Sequence, residues 1–410
     1  MSGGADSQSG SPEVRKSGNR AARKSLIIGR QSAGFIQRGH PWVRPDRFTS
    51  GLDACAAGDV ITLVDERGRG FASALADPQD EVCARVFARE AQVVFDPAAL
   101  IAKAWARRGR FHHDRSTDCY RVVHGEADGL PGLRVERYAD VLVVVVFAAC
   151  INPYIDAITT ALAAHLPNAR IVVREHFDDL RRSGVATRMI HGDLPGPESE
   201  VEGREFDVRL PLQPFAGLAT GIYVDQRGTR RWLRKQCRDA RVCNLFAYTG
   251  LFSLSLLQAG AASAIDVDLA APALERATLA AARNGWSDKH RVAHSDCATW
   301  LADCRENFDI MICDPPTAAQ GGGQGWVARR DYPALLTLAL QRLASGGLLV
   351  ACSNTLGVKP ADPEACLREA ASNTGIGVEL LAAPALDPDL PQLAGFPEGL
   401  PFRCTIARRN

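Results

Sequence analysis

From about residue 205 to the end of the chain, strand-length apolar runs alternate with helix-length segments, and this alternation narrows the fold more than any other feature. "RVCNLF" reads as a strand and "GLFSLSLLQAG" as a helix closing at Gly260, a glycine where a C-cap is expected. "ASAIDVD" is a second strand, followed by the helix "PALERATLAAARNG", which ends at Gly285. "RVAHSD", "FDIMICD" and "GGLLVACS" supply three more strands with helices between them. β-α alternation of this kind means an α/β fold with a doubly wound, Rossmann-like sheet, whose ligands bind at the C-terminal strand tips. No internal repeat is visible.

Three of these strands end in carboxylates, Asp268, Asp296 and Asp314. In a parallel sheet all three gather on the ligand edge. The first strand leads instead into "NLFAYTG" (244–250), with Thr249-Gly250 opening the next helix. The fingerprint G-x-G-x-x-G is absent, so the backbone has no close approach to a pyrophosphate, which counts against NAD or FAD. A ligand with ribose and adenine but no phosphate suits the pattern, and that ligand is S-adenosylmethionine (SAM). Asp268, about twenty residues beyond the loop, is placed for the ribose hydroxyls, Asp296 for the adenine amino group, and the "FAYTG" turn for the ribose and amino-acid portion. Any one of these aspartates could be only a helix N-cap; three in register are harder to explain that way.

The exit "DPPT" adds a constraint. Pro315 and Pro316 cannot continue a ladder, and Pro315 holds Asp314 extended. The prolines are expected to fix one wall of a reaction site, with Asp314 holding a base edge or the surroundings of the reacting methyl group.

The first half reads differently. Residues 1–24 are a basic tail without periodicity. Short alternating runs over 25–95 suggest a small β-rich module. A linker helix at 96–110 then opens an α/β middle domain ending near 190, with two strand runs over 120–147, a helix over 153–165 and the strand "ARIVVREH"; residues 191–410 hold the doubly wound sheet. Residues 1–110 carry 17 Lys and Arg against 12 Asp and Glu, although the whole chain is only +1. A basic front end suits a polyanion partner. No apolar run reaches a membrane span, and the polar N-terminus lacks a signal core. Twelve cysteines without a CxxC pair point to free thiols in a reducing cytoplasm, with no metal centre.

Within the front module, "RGHPWV" (38–43) followed by "GDVITLVDERG" (58–68) resembles the PUA domain, an RNA-binding fold. That resemblance makes Arg38, His40 and Trp42 candidates for RNA contact, although Trp42 could equally be a core aromatic. "GIYVDQRGTRRWLR", "VCNLFAYTGLFSLSLLQAGA", "IDVD", "ICDPPT" and "FPEGLPFRC" together resemble the bacterial ribosomal RNA large subunit methyltransferase I family, from about residue 26 to 408. The resemblance implies a PUA domain, a small middle domain and a class I methyltransferase sheet. It implies SAM contacts at Asn244, Phe246, Tyr248, Gly250, Asp268, Asp296 and Asp314, and a "DQR" element at Asp225, Gln226 and Arg227, with Gln226 counted among the cofactor-binding residues. The expected partner is large-subunit ribosomal RNA in the cytoplasm, with a homodimer left open.

After "DQR", Arg227, Arg230, Arg231, Arg234, Lys235 and Arg238 recur at steps of three and four, which places them on one helix face. Beside an RNA-binding module, Arg227, Arg231, Arg234 and Arg238 are read as phosphate contacts; the plainer reading is a solvated face. The reacting residues are expected among Asp314, Pro315, Cys352 and Asn354. Methylation at cytosine C5 needs a thiolate, which the family carries in an "SCS" triplet; Ser353-Asn354-Thr355 stand there, so the cysteine position holds Asn354. Either Cys352 has taken over, or the reaction needs no covalent step, as in the guanine-N7 large-subunit enzyme that "DPPT", "RRDYPALL" and "CSN" also resemble. Thr317 and Ala318 stand where base methylases commonly have an aromatic. A non-catalytic RNA-binding relative and a small-molecule methyltransferase are the rival readings.

Overall fold

The protein is described by a computed structural model over residues 24–176, 186–217, 219–316, 318–319, 326–354, 362–400 and 402–410. The basic tail, Lys24 excepted, lies outside these residues, as do Thr317 and Thr355.

Seven strands of the C-terminal half share one sheet: β1 (Arg241–Leu245), β2 (Ser263–Asp268), β3 (His290–His294), β4 (Phe308–Cys313), β5 (Leu343–Ser353), β6 (Val378–Ala382) and β7 (Arg403–Arg409). Their order is β3-β2-β1-β4-β5-β7-β6. The pairs from β3 to β5 are parallel, while β7 runs antiparallel to both its neighbours. The chain steps outward from β1 to β3, then returns to lay β4 on the other side of β1. That reversal opens the crevice in which doubly wound sheets bind ligands.

β4 shows why these residues form a central strand. Met311 and Cys313 enter the core beneath the helices Ala328–Arg342 and Pro363–Thr374. Ile310 and Ile312 point the other way, beneath Arg227–Leu233 and Leu251–Gln258. Helices on both faces demand apolar residues at every position, hence an unbroken run rather than an alternating one.

Ahead of this sheet stand two five-stranded ones. The first runs in the order Ser25–Ile27, Val60–Val64, Gly70–Ala76, Ala84–Ala88, Trp42–Val43. It carries a helix, Arg30–Gln37, that the alternating pattern did not disclose. The second runs Ala186–Met189, Arg170–Glu175, Val141–Val146, Leu133–Tyr138, Cys119–His124. Helices Pro97–Arg107 and Ile155–His165 bury Ile101, Ile158 and Leu162 against it. The two strand runs expected over 120–147 are three, because the second folds back at Ala139, whose φ is 53°. All twelve cysteines are free thiols. Among the described residues no helix is long and apolar enough to cross a membrane, and no group of side chains could hold a metal ion.

Candidate active site

The tips of β1 to β5 open into a cavity of about 1050 Å³, at the upper end of the roughly 300–1,000 Å³ of ligand pockets. Asp268, Asp296 and Asp314 all line it, together with Asn244, Phe246, Tyr248, Gln226 and Asn354. Strand order arrays them along the sheet edge as Asp296, Asp268, the loop after β1, Asp314 and Asn354.

The loop after β1 is held from below by a buried carboxylate. Asp266, on β2, accepts hydrogen bonds from Asn244 Nδ2 (2.9 Å) and Ser253 Oγ (2.5 Å) and lies 2.7 Å from His290 Nε2. Gly250 sits directly against it at φ +73°, and a Cβ there would stand 2.1 Å from Asp266 Oδ2. Glycine is therefore required on two counts, conformation and space. Phe246 and Tyr248 also have positive φ, 55° and 53°, a backbone strain of about 1–3 kcal/mol each that the surroundings must hold. Asp268 supplies part of that hold, since its Oδ2 accepts the Tyr248 N–H (2.7 Å) and its Oδ1 the Ala270 N–H (2.8 Å). The Tyr248 hydroxyl accepts from the Gly221 N–H at 3.0 Å. Asp296 caps the helix Cys297–Asp303 through the Thr299 N–H (2.9 Å) while lining the cavity.

On the other side of β1, Gln226 Nε2 donates to Asp314 Oδ2 at 3.1 Å. Burial, reinforced by the neighbouring charge of Asp225, pushes the Asp314 carboxyl up to about 7. Asp225 is itself raised, again chiefly by burial. Pro315 is buried behind this wall and Pro316 faces the cavity, its carbonyl accepting from Trp326 Nε1 at 2.8 Å.

The profile of the S-adenosylmethionine-dependent methyltransferases matches residues 146–403, and that of a PUA-like domain matches 26–89. The ribosomal RNA large subunit methyltransferase I of Shewanella amazonensis is 30% identical over 400 residues, covering 94% of this chain and 99% of that protein. That of Cronobacter sakazakii is 30% identical over 385 residues, covering 92% and 96%. The chain belongs to the ribosomal RNA large subunit methyltransferase I family. Solved structures agree on the fold. A methyltransferase complexed with SAH superposes with a TM-score of 0.80 at 20% identity, over 94% of this chain and 100% of that one. A Streptococcus mutans SAM-dependent methyltransferase gives 0.79 at 19%, over the same shares.

As a member of the methyltransferase I family, the chain is a SAM-dependent methyltransferase, and its lining fits that cofactor. Asp268 presents a carboxylate at the tip of β2. The one glycine of the β1 loop turns its missing Cβ towards Asp266 rather than towards the cavity, so no phosphate cradle exists.

Several expected site residues are placed elsewhere. Gly250 supports the loop without lining the cavity. Cys352 is fully buried, stands opposite Cys404 in the β5–β7 register, and does not line the cavity. A hydrogen bond with Cys404, then burial, holds its thiol well above the ordinary value, so it is no ready thiolate. Asn354 is exposed on the cavity wall.

The arginine face is the largest correction. Arg227 is fully buried, with Nη1 3.0 Å from Asp389 and 3.3 Å from Asp387, and Nε 3.3 Å from Glu205. Arg230 is buried on Glu205 at 2.6 Å. Arg231 pairs with Asp387, and Arg234 Nη1 donates to the Ser255 carbonyl at 2.8 Å. Of the four proposed phosphate contacts only Arg238 projects into solvent, its side chain 92% exposed with Asp239 3.9 Å from its Nε. The steps of three and four are real, but the face they define meets Glu205 and, from about 160 positions further on, Asp387 and Asp389. In the front module Arg38 is exposed. His40 and Trp42 instead pack edge-on against Phe396, at 5.5 and 4.7 Å, and Trp42 Nε1 donates to Glu126 Oε1 at 2.7 Å. They join the front module to the rest of the chain.

Sequence reasoning missed one side of the cavity wall: Arg121, Arg134, Glu136 and Tyr138 of the middle sheet, with Tyr223 and Trp326. One signal existed. Arg134, Glu136 and Tyr138 alternate along "LRVERY", a polar face on a strand whose reverse begins with Leu133 and Val135.

Proposed function

We propose that the chain transfers the methyl group of SAM to a base of large-subunit ribosomal RNA. The observation that carries this reading is one cavity in which the strand-tip carboxylates of a cofactor site continue into a separate polar wall of Asp314, Gln226 and Asp225. The relatives' names supply the RNA, and the PUA-like profile over 26–89 supports it. Bound SAM supplies an electrophilic methyl on a sulfonium. The chain's own residues hold the ribose at Asp268, keep the β1 loop in its strained form, and fix an extruded base against Asp314 and Pro316. Arg38 and Arg238, both exposed, are the arginines we retain as RNA contacts. A ribosomal RNA substrate would be met in the cytoplasm, which is the compartment this reading assigns. Labelled methyl transfer to deproteinised 23S RNA, with nucleoside analysis of ribosomal RNA from cells with and without the gene, tests this. A lost methylated nucleoside is expected, and an unchanged profile would reject the reading.

The burial of Cys352 favours a target atom that attacks without a thiolate. Among the described cysteines only Cys297 lines the cavity. Its thiol accepts from the Phe246 N–H at 3.3 Å, and burial pushes it up to about 12. Cys352→Ala should therefore keep methyl transfer within a few-fold of the native rate, and 5-fluorocytidine RNA should form no covalent adduct. A denaturation-resistant adduct lost in Cys352→Ala would reinstate the thiol.

A further inference from the structure

The strand Leu133–Tyr138 is separated from the methyltransferase sheet by about a hundred residues, yet it lines the same cavity. Its polar face is organised around Glu136. Glu136 Oε1 accepts from Arg121 Nη2 (2.6 Å) and Nε (3.1 Å), and Oε2 accepts from the Tyr138 hydroxyl at 2.8 Å. Both oxygens are thus engaged before Arg134 is considered. Arg134 Nε lies 3.8 Å from Glu136 Oε2, beyond hydrogen-bond range, and is buried without a partner. Its guanidinium carbon lies 4.9 Å from the centre of the Phe147 ring.

The other arginines on the lining are committed more closely. Arg121 is held by Glu136 at 2.6 Å, Arg230 by Glu205 at 2.6 Å and Arg330 by Asp331 at 2.6 Å. Arg134 has the longest ion pair of the four and an unspent donor. On the same lining, Gln226 is only 4% exposed, and its Oε1 is likewise buried without a partner while Nε2 serves Asp314. An orphaned acceptor costs about 1–3 kcal/mol, which a ligand's amino group would recover.

We propose that the middle sheet completes the target site: Arg134 binds a phosphate flanking the extruded nucleotide, and Gln226 Oε1 accepts a hydrogen bond from an exocyclic amino group of its base. This rests on the ribosomal RNA reading and assigns side chains to its target nucleotide. A guanidinium resting on an aromatic ring, with a donor left to offer, suits a phosphate oxygen, and a buried amide carbonyl suits an amine. The middle sheet is then part of the active site rather than a spacer.

The test compares the native chain with Arg134→Gln, which removes the charge but keeps a polar side chain, and with Arg134→Lys. Readouts are SAH binding by calorimetry and methyl transfer to 23S RNA over a salt series. Arg134→Gln should raise KM for RNA about tenfold and lower the salt slope by about one. SAH affinity should stay within twofold, and Arg134→Lys should restore the slope. A native-like KM and slope in Arg134→Gln would overturn the phosphate assignment while leaving the ribosomal reading intact, and so would a loss of SAH binding equal to the loss of transfer. If the native chain methylates no ribosomal RNA, both fall together. For Gln226, a transcript carrying the deaminated base at the target position should lose at least about 100-fold in transfer; undiminished transfer would overturn that contact.

Discussion

Arg227→Ala should lower the unfolding free energy by about 3–5 kcal/mol, the loss expected when one partner of a buried ion pair is removed and the other charges stay behind. Arg227 is fully buried, and three carboxylates face it, from Glu205, Asp387 and Asp389. Its Nη2 also donates to the Cys119 carbonyl at 2.5 Å, so it joins the middle sheet to the methyltransferase half. Asp389 extends the joint, accepting the Arg121 N–H at 2.9 Å through Oδ2 and Arg108 Nη2 at 2.8 Å through its carbonyl. Without Arg227 those acids repel one another in a low-dielectric space. Urea unfolding of native and variant chains measures the loss as a shift in midpoint. Arg227→Lys, which keeps the charge but not the fork, should lose less. The RNA salt slope should not change in any variant that still folds. A variant as stable as the native chain but with a flatter slope would instead make Arg227 a phosphate contact.

SAM affinity should rise about tenfold between pH 6 and pH 8, and Asp314→Asn should abolish the rise. The Asp314 carboxyl is pushed up to about 7, so near pH 6 it is mostly neutral and near pH 8 mostly charged. A cation entering the same cavity favours the carboxylate, so binding at neutral pH releases a proton and strengthens as that proton becomes easier to lose. Each pH unit traversed below the free value is worth up to tenfold, because one pKa unit corresponds to about 1.36 kcal/mol. SAH, whose sulfur is uncharged, should show a much flatter profile. The stability of the free protein carries the opposite sign: the unfolded chain releases this proton near 3.8 and the folded chain near 7, so stability from this group falls as pH rises across that interval. Calorimetry in buffers of different ionisation enthalpy reads the proton count directly. Equal pH profiles for SAM and SAH would separate Asp314 from the sulfonium.

What could be read in advance divides by distance along the chain. The β-α alternation, the strand-ending aspartates, the missing phosphate glycines and the Asp-Pro-Pro exit are local patterns, and each has a local cause. A strand covered by helices on both faces is mostly apolar, and its tip is where a charged residue first meets solvent. Asp268, Asp296 and Asp314 are therefore legible as one edge from the sequence. The helix Arg30–Gln37 was not, because its eight residues give two turns and only Ala33 and Ile36 turn inward.

Whether a charged face meets water, a phosphate or an acidic partner was decided only by tertiary structure. The spacing of Arg227, Arg231, Arg234 and Arg238 is the same in all three cases. The partners that bury Arg227 and engage Arg231, Asp387 and Asp389, arrive from a loop some 160 residues later. Cys352 shows the same limit: its distance from the family's cysteine position is visible in the sequence, but its pairing with Cys404 depends on β7 returning antiparallel beside β5. The sequence by itself determined the sheet, its ligand edge and its cofactor, because hydrophobic period and strand-end chemistry act over a few residues. The folded chain alone decided which polar side chains share a cavity, since burial and electrostatics depend on distances in space that no local spacing encodes.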